Sequence, residues 1–327
     1  MLLRYWGKIL QRGGRNAVGQ EAAGSTSQGR HVNDGPVGPV SLRKSNMKKA
    51  AIYVPNLVTS ETLKQVCAQH RSSHLKYETL VVTTEDNITT IRMNRPQKKN
   101  AVSSTMTDEL IAALEEAATD DSVLTVLTGT SDYFTSGSDL TNALERKEQS
   151  RANINPFRIF VKKFIDFPKP LIAVVNGPAI GIGVTILGLF DVVYATERAT
   201  FLTPFTKLAI YPEGCSSYTF PKIMGPGMAA EMLLFNKKLT AHEACNARLV
   251  TEVFPDDRFQ SEVWTRLKAY AKLPKNCIAA SKQLIRDVER EKLHDVCDKE
   301  CELIDKRTNS KESSDAIKNF FKNKAKL

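Results

Sequence analysis

Residues 208–220 read LAIYPEGCSSYTF, and one acid, Glu213, stands there between a proline and a glycine among apolar and hydroxyl-bearing neighbours. An acid so placed is either a charged turn residue or a lone carboxylate base; apolar surroundings would raise its proton affinity toward the range a base needs. Two other stretches have the makings of an anion site: Thr130–Leu140 (TSDYFTSGSDL) and Asn176–Ile186 (NGPAIGIGVTI). In each, glycines let the backbone turn after an apolar run with its N–H groups facing outward. Such groups stabilise negative charge, the more so at a helix N-terminus. Either loop alone also fits an ordinary tight turn, whereas two in adjacent units make a paired anion site. Gly177, Gly181 and Gly183 lack the Gly-x-Gly-x-x-Gly order of a dinucleotide loop, and no Gly-x-x-x-x-Gly-Lys-[Ser/Thr] run occurs. His294, Cys297 and Cys301 can share a helix face, but a metal site normally takes four ligands, so they are read as packing residues and no metal is expected.

The elements that must carry these groups are legible in outline. Leu80–Thr83 and Ile88–Met93 are rich in Val, Ile and Thr, with a turn of sequence EDN between them, and read as a β-hairpin. Met106, Leu110, Ile111 and Leu114 recur at helical spacing. VLTVLTG, ending at Gly129, and PLIAVVNG, ending at Gly177, are short buried strands, and FRIFVKKFIDF between them is an amphipathic helix that ends near Pro168. GVTILGLF begins a further helix; DVVYAT and ATFLTP are further strands; from about residue 215 the pattern is helical to the end. Gly225–Pro226–Gly227 marks a loop before a helix, and LHDVCDKECELID is amphipathic and expected to pack. Strands alternating with helices, with glycine loops closing the strands, predict an α/β protein whose site lies beyond the strand ends.

Composition fits this reading. The chain has 327 residues, 42% of them apolar, enough for one large core. Its six cysteines are scattered and show no disulfide framework, which makes a reducing compartment the default. The net charge of +10 sits at the ends: residues 1–64 hold ten Lys or Arg against three acids, and the last ten residues hold four lysines and no acid. A near-neutral body with basic ends is not a nucleic-acid-binding surface. MLLRYWGKILQRGGRNAVGQ is basic, acid-free and amphipathic in the manner of a mitochondrial presequence, and too interrupted for a membrane span. Residues 1–70 are read as a targeting or disordered segment with a short helix near Ser60–Gln69. The terminal Ala325–Lys326–Leu327 is a close variant of the receptor-read peroxisomal signal, so a peroxisomal matrix location and an import receptor as partner are expected, with additional mitochondrial targeting as the second address.

NRPQKKNAV (Asn94–Val102), YFTSGSDL and PLIAVVNGPAIGIG, in this order, resemble the signature stretches of the crotonase (enoyl-CoA hydratase/isomerase) superfamily over roughly residues 76–327. The later stretch through PEGCSSYTFPKIMGP is most similar to its peroxisomal Δ3,Δ2-enoyl-CoA isomerase branch, in a short form without the N-terminal acyl-CoA-binding domain. The resemblance implies a spiral of ββα repeats, with a core over residues 71–258 and a helical C-terminal region over 259–327 that mediates homotrimer contacts. It implies an acyl-CoA thioester substrate and no cofactor beyond the coenzyme A of that substrate.

Carried over by motif position, the resemblance puts the oxyanion-hole N–H donors at Ser138 and Ile182, within a substrate-binding set of Ser136, Gly137, Ser138, Asp139, Leu140, Gly181 and Phe205. Preorganised donors in a dry site are each worth roughly 3–4 kcal/mol against charge on a thioester oxygen. The two hydratase glutamates fall on Thr185 and Phe205, neither of which is a carboxylate, whereas the isomerase base falls on Glu213. The expected reaction moves a double bond from C3 to C2 by proton transfer from C2 to C4. A non-catalytic acyl-CoA-binding homologue and an acyl-CoA thioester hydrolase are the alternatives. Asp139 either touches substrate or holds its loop through backbone N–H groups, and Lys98 and Lys99 either meet the phosphates of coenzyme A or form a solvated charge pair.

Overall fold

Strand β1 (Leu80–Glu85) and strand β2 (Ile88–Met93) pair antiparallel across a two-residue turn at Asp86 and Asn87, both with positive φ, the conformation that a tight hairpin requires. The computed structural model describes residues 76–140, 155–308 and 310–324, all within one compact unit. The expected N-terminal targeting segment, the expected short helix near Ser60–Gln69 and the Ala325–Leu327 tail lie outside the described residues.

Helix α1 (Ser104–Thr119) starts at Ser103, whose hydroxyl accepts the Met106 N–H at 3.2 Å, and buries Met106, Leu110, Ala113, Leu114 and Ala117. It leads into β3 (Leu124–Gly129), parallel to β2. Helix α2 (Pro156–Ile165), capped by Asn155 with a proline in its first turn, leads into β4 (Leu171–Val175). Then follow β5 (Ala179–Ile180), the single turn α3 (Ile182–Thr185), β6 (Val192–Thr196) and β7 (Thr200–Leu202). Helices α4 (Ser216–Met224) and α5 (Pro226–Leu233), strand β8 (Leu239–Thr240), helix α6 (Ala241–Asn246) and strand β9 (Glu252–Phe254) come next. Four helices close the described chain: α7 (Phe259–Tyr270), α8 (Lys275–Asp287), α9 (Arg290–Thr308) and α10 (Lys311–Lys324).

The main sheet runs β1-β2-β3-β4-β6-β9, parallel from β2 onward, and a smaller sheet runs β5-β7-β8. Successive β4-β5-α3 and β6-β7-α4 units give the expected spiral of ββα repeats. The central strands are buried on both faces, hence their unbroken apolar runs. Leu127, Ala173 and Val175 face the larger core with α1 and α2, while Val126, Ile172 and Val174 face a smaller one with Val263 and Leu267 of α7.

The pattern after residue 215 is not wholly helical: β8 and β9 are strands of two and three residues. Segments that short leave no readable alternation, and β9 is fixed by parallel pairing with β6 rather than by its own pattern. GVTILGLF likewise makes only the end of α3 and a 3₁₀ turn (Ile186–Leu189) before the chain enters β6.

Candidate active site

The two glycine loops are zipped together beyond the ends of β3 and β4. Thr135 bridges Ala179, the Ile180 N–H donates to the Thr135 carbonyl at 3.0 Å, and the Phe134 N–H donates to the Pro178 carbonyl at 3.1 Å. Asn176 ties the loop bases, accepting the Gly129 N–H at 3.0 Å and donating to the Ser131 carbonyl at 2.8 Å. Gly137 has φ +84°, and a Cβ there would lie 2.8 Å from the Ile180 carbonyl oxygen; a side chain is excluded both by conformation and by the approach of the second loop.

This zipping leaves two N–H groups over. Ser138 forms a parallel bridge with Val102, whose own N–H and carbonyl take Gly137 O and Asp139 N at 2.9 Å each. In such a bridge the N–H of the bridged residue points the other way, and Ser138, exposed at the surface, has no acceptor for it among the described residues. Ile182 is the first residue of α3, so its N–H lacks an intrahelical partner, and none of the described residues accepts it. The flanking Gly181 N–H is spoken for by the Leu202 carbonyl at 2.9 Å. The loops therefore present two unclaimed backbone donors from adjoining turns.

The NRPQKKNAV segment sets the first loop from outside. Buried Asn100 donates to the Thr130 and Tyr133 carbonyls at 2.9 and 2.8 Å and accepts the Arg95 N–H at 3.0 Å. Arg95 also pairs with Asp139 at 3.1 Å, which gives Asp139 a loop-holding contact through a guanidinium. The Ser136 N–H donates to the Lys99 carbonyl at 2.9 Å. Lys98 and Lys99 are exposed, and Lys99 lies 5.0 Å over the Tyr133 ring. Leu140 is half-buried and closes the described part of this loop.

Glu213 lies in a turn whose carbonyl accepts the Ser216 N–H at 3.1 Å and its hydroxyl at 2.7 Å. The next two residues are both left-handed, Gly214 at φ +65° and Cys215 at φ +64°. A Cβ on Gly214 would lie 2.7 Å from Thr185 Oγ1 and 3.3 Å from Ile182 Cδ1. The turn thus abuts α3, the element that carries the second donor. Its side-chain carboxylate has no hydrogen-bond partner among the described residues. The residue keeps partial surface, and burial of its surroundings, reinforced by the Glu300 charge, pushes its pKa up to about 8.

The two positions where the hydratase acids fall are closed. Thr185 is fully buried with its hydroxyl turned back to the Ile182 carbonyl at 3.4 Å, and Phe205 is buried in the apolar core. A cavity of about 240 Å³ lies beside the bases of the two loops, lined by Gly129, Ser131 and Asn176 together with Arg92, Thr196, Arg198 and the start of α7, and none of the expected catalytic or substrate-binding residues lines it. Of the triplet His294, Cys297 and Cys301, His294 meets Asp166 at 2.9 Å while the two cysteines are buried.

Two contributors escaped the sequence reading: Asn100 and Glu300. Glu300 is a buried acid on α9, in the amphipathic stretch read as packing. Its signal was present, because Leu293, Val296, Cys297, Glu300 and Cys301 share one face of the helix, and a carboxylate on an otherwise apolar face needs a partner.

Comparison with known proteins agrees with this geometry. The enoyl-CoA hydratase/isomerase family model matches residues 83–326. The chain is 59% identical over 256 residues to human enoyl-CoA delta isomerase 2, covering 77% of this chain and 65% of that protein. It is 55% identical over 251 residues to the mouse peroxisomal enoyl-CoA delta isomerase 3, covering 76% of this chain and 79% of that one. It thus spans just under two thirds of the human relative's length. Among solved structures, an enoyl-CoA hydratase/isomerase from Pseudoalteromonas atlantica superposes with a TM-score of 0.70 at 32% identity, over 75% of this chain and 98% of that one. Zipped glycine loops, two unclaimed N–H groups and a family match across the whole described core lead to one conclusion: the chain belongs to the enoyl-CoA hydratase/isomerase family.

Proposed function

We propose that this protein is a Δ3,Δ2-enoyl-CoA isomerase. The observation that carries the reading is the Glu213 carboxylate, without a hydrogen-bond partner among the described residues, on a turn packed against the N–H-bearing α3. In the proposed reaction Glu213 takes a proton from C2 of a 3-enoyl-CoA. The electron pair delocalises through the thioester carbonyl, whose oxygen receives the Ser138 and Ile182 N–H groups. Glu213 then returns the proton at C4, the electrons close a C2–C3 double bond, and no atom is gained or lost. A carboxyl with a raised pKa is better matched to both halves of this exchange than one near the ordinary value. Thr185 and Phe205 offer no second carboxylate to place a water, which favours moving the bond over hydrating it.

The location we infer is the peroxisomal matrix, on the strength of the Ala325–Lys326–Leu327 ending and the peroxisomal designation of the mouse relative. We also infer a homotrimer. Helix α8 and the residue after it leave Leu284, Ile285 and Val288 exposed at 75, 77 and 83%, an apolar face that another copy can cover. Among the described residues, no helix is long and apolar enough to cross a membrane.

The test is to supply purified protein with 3-enoyl-CoA, 2-enoyl-CoA and a saturated acyl-CoA. Double-bond shift without thiol release, abolished in Glu213→Gln, is the expected result. Full activity in that variant removes Glu213 as the base, and free coenzyme A release points to a hydrolase.

A further inference from the structure

Helix α9 grips the segment that carries Glu213 at three points. The Leu293 carbonyl accepts the Cys215 thiol at 3.4 Å. The Glu300 carboxylate accepts the Cys215 N–H at 2.7 Å on one oxygen, and the Ser217 N–H and hydroxyl at 3.0 and 2.6 Å on the other. Arg307 donates to the Ala209 carbonyl at 3.0 Å and lies 5.6 Å over the Tyr211 ring. These three residues are spaced seven apart, two helical turns each, so they form one row along α9. Residues 209–217 are held along that row with Glu213 between the clamps.

We propose that Glu300 is a positioning residue for Glu213: bound to the amides two and four residues beyond it, Glu300 fixes the turn that aims the base. This rests on the isomerase reading above. Cys215 is a non-glycine residue held at φ +64°, a conformation the chain adopts only when its surroundings over-determine it. The Glu300–Cys215 bond supplies that constraint, and the bonds to Ser217 satisfy donors at the start of α4 that the helix itself leaves open.

Burial raises the Glu300 pKa while the Ser217 and Cys215 bonds oppose the rise. Facing the Glu213 turn from α9 are Glu300, Cys301 and, farther along, Arg307; Cys215 lies within it, and Tyr218 of α4 donates to Glu289. None of these donates to the Glu213 carboxylate. The Cys301 thiol is pushed far up and stays protonated, which leaves Glu300 as the charge that keeps Glu213 proton-hungry.

The test compares wild type, Glu300→Ala, Glu300→Gln and, as a charge-matched control on the exposed side of α9, Glu302→Gln. Misaiming a catalytic group by about 1 Å costs up to roughly 100-fold in rate, so Glu300→Ala is expected to lower kcat about 10- to 100-fold. KM should change little, because Ser138 and Ile182 are anchored by other loops. Glu300→Gln retains an oxygen for Ser217 but opposes an NH₂ to the Cys215 N–H. It should lower kcat less, and move the acid limb of its pH profile to lower pH because a neighbouring negative charge is gone. Glu302→Gln should match wild type in both.

A readout independent of turnover accompanies these. Glutamate labelled with ¹³C at Cδ, with the Glu213 signal identified from Glu213→Gln, should titrate at lower pH in Glu300→Gln than in wild type. Wild-type kcat and pH profile in both Glu300 variants, or an unmoved Glu213 titration, overturns the proposal. A wild-type protein inactive on 3-enoyl-CoA overturns the isomerase reading instead, and the Glu213 titration still decides whether Glu300 acts on it.

Discussion

A carboxyl kept proton-hungry by burial weakens the fold that buries it, and the size of that cost follows from Glu213, the proposed base. Its pKa is raised from 4.5 to about 8, so the folded state holds the proton more tightly than the unfolded chain. The stabilising contribution is complete below pH 4.5 and is lost as the pH climbs through about 8, because unfolding then lets the carboxyl ionise in water. At about 1.4 kcal/mol per pKa unit, the full span approaches 5 kcal/mol. Partial solvent access at the residue reduces this to about 2–4 kcal/mol between pH 5 and pH 8.5. Glu213→Gln keeps the shape of the protonated acid and ionises in neither state. The variant should therefore be close to wild type in stability at pH 5 and about 2–4 kcal/mol more stable at pH 8.5. For a chain of this size that is on the order of 3–6 °C in Tm. The assay is urea and thermal unfolding of both proteins at the two pH values and one fixed protein concentration, since assembly shifts apparent stability. Other titrating groups are common to both chains and largely cancel in the difference. A stability gap that does not widen with pH, or a variant less stable at pH 8.5, refutes the claim that Glu213 is buried at the expense of its charge.

The same pKa fixes the activity profile of the free enzyme: at pH 7 only about a tenth of Glu213 is carboxylate, so kcat/KM on 3-enoyl-CoA should rise about tenfold between pH 7 and pH 9. A flat profile over that range contradicts it. Gly137→Ala should lower kcat by about 10²–10³, the cost of losing one preorganised oxyanion donor, because the new Cβ meets the Ile180 carbonyl and the loop must shift Ser138 to relieve it. Wild-type kcat in this variant would show that the Ser138 N–H is not part of the site.

The strand–loop–helix grammar was legible because each element carried its own period. The hairpin turn, the α1 stripe and the paired glycine loops are local features, and the sequence pattern places each of them. Short elements were not legible. Glu252–Phe254 has too few residues to alternate, and it is a strand only because β6 offers it an edge. The donors at Ser138 and Ile182 are backbone groups, invisible to any reading of side-chain chemistry. They were reached through the glycines beside them and through a resemblance, while the reason they are unclaimed is the zipping of one loop onto the other.

Glu300 shows where local reading stops. A glutamate on a helix is ordinarily solvated, and its helix is polar enough to hide one buried acid among many exposed ones. What makes it consequential is a contact 85 residues away in sequence, with Cys215. The C-terminal helices extend beyond the last strand of the main sheet, yet through Leu293, Glu300 and Arg307 one of them holds the turn on which Glu213, the proposed base, sits. A base on a turn needs such a splint more than one on a strand does, since a turn has few internal bonds to fix its aim. The glycine loops are braced by each other and by Asn100, so the donors are fixed from within the core. Loosening α9 should therefore uncouple the two halves of the site: donors and acyl-CoA binding stay, and proton transfer goes.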